Sequence, residues 1–359
     1  MRTNRERRLN LNRRGFIGVA GGAAATALLG AFGGPAAAGE HKDRHRPTGR
    51  PLVPPGQLGL QLFTVRDKVS TVGFAAVFEE LARDGYAEVE FAGYTQGSAG
   101  PITLPQLKGL LDDNGLRGIG SHVGYFSADP NAYTFATKLT QVLDDAEALG
   151  LPHIGTASSP ARYGNTVDAW KRAADEFNAF GAAAAARGMK FYQHNHAEEF
   201  GFATDQPSVR LYDVLRAETD PRLVYLEMDI FWAFVGQFRF SSRPDPANPS
   251  GPPIPAPFEP LDYVLSSPHR YPLFHVKDGD SDPTLRDGFR MTDVGDGDID
   301  YERFIGAVER CARGRHRRHN YLVERDDAVS PTANPAGSFS TAKRSIDYLR
   351  SLRAPRHHR

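Results

Sequence analysis

The chain has 359 residues, 40% of them hydrophobic, enough to bury one large core or two smaller ones. Its 43 basic and 43 acidic residues balance, but residues 1–38 hold six arginines and one acid, leaving 37 basic against 42 acidic beyond them. That mildly acidic body gives no electrostatic footprint for nucleic acid, and the single Cys311, set in a helical pattern and read as structural, excludes an internal disulfide.

Residues 1–38 read as an export signal: a basic leader over 2–14, a short Gly/Ala-rich apolar run over 16–32, and small residues at Ala36-Ala37-Ala38. Within the leader, Asn12-Arg13-Arg14-Gly15-Phe16-Ile17 resembles the twin-arginine export motif. Glycines weaken this run as a membrane anchor, so cleavage after Ala38 and a periplasmic or extracellular product without a stable membrane span are expected. Residues 39–56 are polar and Pro-rich, a flexible leader, and residues 353–359 form a basic tail whose His357 and His358 are expected to be solvated.

From residue 57 onward, apolar runs alternate with helical patterns. Strands are expected at 58–65, 87–91, 116–122, 153–156, 189–194, 223–229, 273–277 and 321–324. Between and after them, helices are expected at 72–83, 104–113, 131–149, 166–187, 208–217, around 263–266, at 301–312 and at 338–352, several stopped by a glycine. Eight such units predict a single-domain α/β fold, a (β/α)8 TIM barrel over residues 57–352. An open doubly wound sheet is the alternative, but no Gly-rich phosphate loop follows a strand in the required place. The Pro-rich stretch 237–258 reads as an extended loop at the barrel mouth.

Polar residues gather at strand ends, which in such a barrel face the active site. In Phe191-Tyr192-Gln193-His194-Asn195-His196, strand alternation puts His194 and His196 on one face, with Glu198 and Glu199 just after. Glu90 lies in the second strand, His122 ends the third, and Asp229 ends the sixth. His275 lies in the seventh with Lys277 two residues on, and Glu324 ends the eighth. Each alone reads as a hydrogen-bonded core group or a helix cap. Four successive strands ending in such donors predict a shared divalent metal, because unpaired acids buried together are costly without a cation.

These residues also carry a family resemblance. Gly59-Leu60-Gln61-Leu62-Phe63-Thr64-Val65-Arg66-Asp67, Glu88-Val89-Glu90-Phe91, Ser121-His122-Val123-Gly124, His194-Asn195-His196, Glu227-Met228-Asp229, Phe274-His275-Val276-Lys277-Asp278, Val294-Gly295-Asp296-Gly297-Asp298 and Val323-Glu324 resemble, in order, the sugar phosphate isomerase/epimerase family of xylose-isomerase-like barrels. The resemblance covers residues 57–352. It implies a divalent metal (Mn, Zn, Co or Mg) on His194, Asp229, His275 and Glu324, with His194 standing where many relatives carry Glu. Family epimerases work with two opposed carboxylate bases. Here only Glu324 is in place, so His194, His196 or Glu199 would supply the other.

The function expected is metal-dependent isomerisation or epimerisation of a ketose or keto-sugar by proton transfer next to the carbonyl. Glu324, His194, His196 and Lys277 are expected to be catalytic; Glu90, His122, Arg66, Trp232 and Glu199 are expected to bind substrate. Lys277 could instead pair with Asp278, and Trp232 could be core packing. A keto-glycoside lyase using β-elimination and a non-catalytic exported sugar-binding barrel are the alternatives. Phosphodiester cleavage fits poorly, since it needs more ligands and a basic face. The partner is a small carbohydrate, with a homo-oligomer possible.

Overall fold

The structure, a computed structural model, describes residues 49–248, 250–312 and 319–354. The expected signal segment, most of the leader, Pro249 and residues 355–359 lie outside them. Eight strands form the barrel: β1 (Leu58–Gln61), β2 (Glu88–Phe91), β3 (Arg117–Ser121), β4 (His153–Thr156), β5 (Lys190–His194), β6 (Val224–Asp229), β7 (Leu273–Val276) and β8 (Asn320–Val323). Their order is β3-β2-β1-β8-β7-β6-β5-β4, and every adjacent pair is parallel. The seam between β3 and β4 is joined by a single bridge, His122 to Gly155, with the Val123 N–H donating to the Gly155 carbonyl at 2.8 Å. The result is the nearly closed (β/α)8 barrel that the alternation predicts.

Helices α1 (Arg66–Asp84), α2 (Leu104–Asp113), α3 (Phe135–Ala148), α4 (Val167–Ala185), α5 (Leu211–Glu218), α6 (Ile230–Arg239), α7 (Pro260–Ser266), α8 (Tyr301–Ala312) and α9 (Ser338–Ser351) surround it. α2 and α8 match their expected ranges. α2 is fixed by a capping box, in which Thr103 Oγ1 accepts from the Gln106 N–H and Gln106 Oε1 accepts from the Thr103 N–H at 2.9 Å. α1 starts six residues earlier than expected, because Gly73 at φ 84° kinks one continuous helical run that local pattern reads as two pieces. On its inner face Phe74 and Phe78 pack edge-on against Phe91 of β2, with centroids 6.2 and 6.3 Å apart.

Other segments depart from expectation. β1 ends at Gln61, and the rest of the stretch expected as strand, Leu62–Val65, is a 3-10 turn leading into α1. α6 was not expected: its apolar run Ile230 to Val235 continues straight from β6 with no turn residue, so periodicity cannot separate them. The Pro-rich stretch is not a bare loop; Ser242–Arg243 pairs antiparallel with Ile254–Pro255. Finally, Leu52 and Val53, expected in the leader, are buried, and the Leu52 and Ala354 N–H groups bond to Leu352 and Arg50 carbonyls at 3.0 Å. Backbone pairing of the two ends thus orders residues that composition marks as linker. Among the described residues no helix is long and apolar enough to cross a membrane.

After β7 the chain turns into a short hairpin, Asp278–Ser281 against Phe289–Thr292. The buried Asp278 carboxylate accepts backbone N–H groups from Gly279 and Gly295 at 2.9 Å and from Gly297 and Ile299 at 3.3 Å. It therefore organises this loop and is not the partner of Lys277. Adjacent residues on an extended chain point to opposite sides.

Candidate metal centre

The barrel interior is layered. Ile119, Tyr192, Leu273 and Leu322 form an apolar cluster. Toward the carboxyl ends of the strands the inward positions turn polar: Gln61, Glu90, Glu227, Asp229 and His275, with His194 ending β5 and Glu324 just past β8. The parallel ladders set His194 beside Glu227 and Asp229 beside His275.

One donor atom each from His194, Asp229, His275 and Glu324 lies within 4.8 Å of the others, and all four residues are buried. Asp229 Oδ2 is 3.4 Å from His194 Nε2 and 3.9 Å from His275 Nδ1, and Glu324 Oε2 is 2.7 Å from His275 Nδ1. Among the described residues, both ring nitrogens of His194 lack a hydrogen-bond partner, as does Asp229 Oδ2. Burial, reinforced by the neighbouring histidines, holds the His194 pKa well below the ordinary value, so its ring is neutral with a lone pair to offer. His194 and Asp229 bring the orphaned atoms, and His275 and Glu324, hydrogen-bonded to each other, complete a set of two imidazoles and two carboxylates whose chemistry fits a divalent cation. These residues could hold one.

The surrounding groups balance charge and set orientation. His275 Nε2 lies 2.6 Å from Glu90 Oε2, which aims Nδ1 at Asp229 and Glu324. Burial would push the His275 pKa down, but Glu227, Glu324 and Glu90 outweigh it and raise it well above the ordinary value. Without a metal His275 is therefore a cation, and a ligand taking Nδ1 would displace a proton. The buried Lys277 ammonium lies 3.0 Å from both Asp229 Oδ2 and Glu324 Oε2 and 2.8 Å from Asp326 Oδ1. Burial raises the Glu324 pKa, yet Lys277 and His275 outweigh it, so the carboxylate stays ionised. Asp229 Oδ1 also accepts the Trp232 N–H at 2.8 Å, capping α6, while Asn195 brackets the Asp229 backbone through two 3.2 Å bonds.

His122, His194, His196, Trp232 and Glu324 line one cavity of about 380 Å³, together with Phe63 and Asp326. Glu90, His275 and Lys277 are buried and do not line it. Glu199 is buried behind His196, accepting its backbone N–H at 2.8 Å. Arg66 stands at the rim with its guanidinium on the Phe63 and Asp326 carbonyls, at 2.6 and 2.9 Å, and lines a neighbouring cleft. A hollow of about 480 Å³ at the opposite barrel end is larger, but no convergent donor set lies there among the described residues.

Sequence reasoning missed Glu227, Asp326, Gln61 and Tyr192. His122 Nε2 is 2.8 Å from Glu227, and Gln61 and Tyr192 both donate to Glu90. Period-two alternation could have found Glu227 and Tyr192, which precede Asp229 and His194 by two positions. Glu90, His122, Glu227 and His275 likewise bring donor atoms within 4.8 Å, here joined to one another by hydrogen bonds.

Burial and the Glu90 charge push the Glu227 pKa from the ordinary 4.5 up to about 7. Between those values the folded protein binds a proton that the unfolded chain does not, so stability falls as pH rises through that window. His122, raised by Glu90 and Glu227 against the effect of burial, contributes in the same direction. With divalent ions stripped, the wild-type Tm is expected to lose ground to that of Glu227→Gln as pH rises from about 5 to about 8, a comparison in which the opposite-signed contributions of the depressed His194 and His153 cancel. An unchanging difference between the two in differential scanning fluorimetry would place the titration elsewhere.

The pattern described as a xylose isomerase-like TIM barrel matches residues 71–314. Among solved structures, a sugar phosphate isomerase/epimerase from Parabacteroides distasonis is 20% identical, covering 82% of this chain and 94% of its own, with a TM-score of 0.61. A second one from that organism is 23% identical, covering 81% and 96%, at 0.59. An IolI protein with a bound zinc atom is 13% identical, covering 82% and 98%, also at 0.59. At these identities they show the fold. No functionally curated protein matches the chain by sequence. With more than half its length matched by one family pattern on a barrel of that architecture, the chain belongs to the xylose isomerase-like TIM barrel family.

Proposed function

We propose that this barrel is a metal-dependent sugar isomerase or epimerase, moving a proton on the carbon next to the carbonyl of a ketose or keto-sugar. The observation that carries the reading is the convergence of His194, Asp229, His275 and Glu324 at one cavity. A divalent ion on these residues supplies Lewis-acid polarisation of a carbonyl and its neighbouring hydroxyl. Glu324, ionised and facing the cavity, or one of His194 and His196, accepts the proton. Lys277 holds its ammonium against the negative charge that develops on the substrate oxygen, anchored by Asp326. His122, on the cavity wall, orients hydroxyls, with Glu227 at 2.8 Å and the buried Glu90 fixing its surroundings. Trp232, on the cavity wall beside His196, offers a sugar an apolar face. The twin-arginine-like leader supports action outside the cytoplasm.

The test is deuterium uptake from heavy water into a panel of ketoses and keto-sugars, before and after chelation. Uptake that needs the metal supports the reading. Saturable sugar binding without uptake by metal-loaded protein would make the barrel a non-catalytic binder. Aglycone release from a keto-glycoside would assign the centre to β-elimination.

A further inference from the structure

A second cleft adjoins the cavity of the metal centre. It has a volume of about 220 Å³ and shares Ala92 with that cavity. The two are also linked through a side-chain pair: Phe63 lines the cavity, and Arg66, whose guanidinium lies 3.8 Å from the Phe63 ring centroid, lines the cleft. Phe63 is 39% exposed, unusual for a phenylalanine, and the stacked Arg66 is itself held by the Phe63 and Asp326 carbonyls. An exposed aromatic ring pinned on one face leaves the rest of its surface as a platform.

The cleft lining has the chemistry of hydroxyl recognition. Ser70 and Thr95 contribute hydroxyls, neither hydrogen-bonded to another described residue through its side chain. Gly93, at φ 107°, leaves open space where a side chain would stand, so a ligand can approach the backbone there. Among the described residues no carboxylate lines the cleft, and Arg66 is its one cation, with its two terminal nitrogens already on carbonyls. A phosphate would call for a freer cation or a second one; a neutral polyhydroxylated ring needs the mixed donors, acceptors and apolar edge that are present.

We propose that this cleft is a second sugar subsite, so that the substrate is a glycoside of at least two rings, with the reacting ring at the metal centre and its neighbour across Phe63. The proposal rests on the carbohydrate reading of the metal centre. The two can be tested apart, because binding needs no chemistry.

Calorimetric titration of metal-loaded protein would compare maltose, cellobiose, lactose, sucrose and trehalose with glucose, galactose, fructose and glucose 6-phosphate. At least one disaccharide is expected to bind about tenfold or more tightly than its own monosaccharides. Thr95 is exposed, and Thr95→Trp, which fills the cleft, should bring that ratio to about one. The subsite is overturned if no disaccharide outbinds its monosaccharides, if glucose 6-phosphate binds most tightly, or if the ratio survives in Thr95→Trp. A disaccharide preference without deuterium exchange on any keto-sugar would instead remove the catalytic reading and leave the subsite standing.

Discussion

Asp229→Asn protein is expected to retain less than about a tenth of the wild-type divalent metal and to lose about 10³-fold or more in proton-exchange rate. Asp229 is the acid on which the centre turns, since its Oδ2 lies near His194, His275 and Lys277 together. Asparagine is chosen over alanine because the Asp229 side chain also holds a helix end, its Oδ1 capping α6 at the Trp232 N–H. Asparagine caps a helix about as well as aspartate, so most of that contribution, about 1 kcal/mol, survives. Loss of metal by elemental analysis with an intact melting transition would thus report on ligation alone. Stoichiometric metal in Asp229→Asn would remove this residue from the ligand set and dissolve the proposed centre.

Lys277→Met should produce an opposite pair of effects, tighter metal and lower activity. The ammonium lies 3.0 Å from Asp229 Oδ2 and Glu324 Oε2, two of the oxygens a divalent ion would use. Burial would lower the Lys277 pKa, but Asp229, Asp326 and Glu324 outweigh it and raise it well above the ordinary value, so the side chain stays charged. Without metal, its removal leaves three carboxylates facing one another in a buried place, which should cost about 3–5 kcal/mol. With metal present, much of that cost is offset by the ion. Urea unfolding with chelator and with added metal measures both. The stabilisation by metal should be several kcal/mol larger in Lys277→Met than in the wild type, on the order of the unfolding cost. An equal shift in the two proteins would mean that lysine and metal do not share those oxygens.

Much of this was legible in the residues. β4, α2 and α8 fall where pattern placed them, because each is bounded by a clear stop or start: Leu151-Pro152 before β4, the Thr103 capping box, and Asp300 before Tyr301. The inward positions of β5 to β8 were readable from alternation, and His122, His194, His196, Trp232 and Glu324 do share a cavity. Where local pattern fell short, a long-range partner decided the geometry. Arg66, expected at the substrate, is held at the rim by the Asp326 carbonyl 260 positions away and lines the neighbouring cleft, a placement that no short stretch of chain encodes. Lys277 looked pairable with Asp278, but that carboxylate is taken by four backbone N–H groups of the following loop.

Local pattern was enough for the alternation of strand and helix apart from α6, and for several of the side chains that stand at the carboxyl ends facing inward, among them His194, Asp229, His275 and Glu324. Those properties follow from the periods of 3.6 and 2 and from caps, all short-range in the chain. Which of these donors meet is a property of the closed ring instead. His194 and Glu324 come into one group because β7 and β6 lie between their strands in a barrel that nearly closes, and strand tilt and stagger set the height of each side chain. Distances across such a ring depend on every strand at once, so no window of residues encodes them.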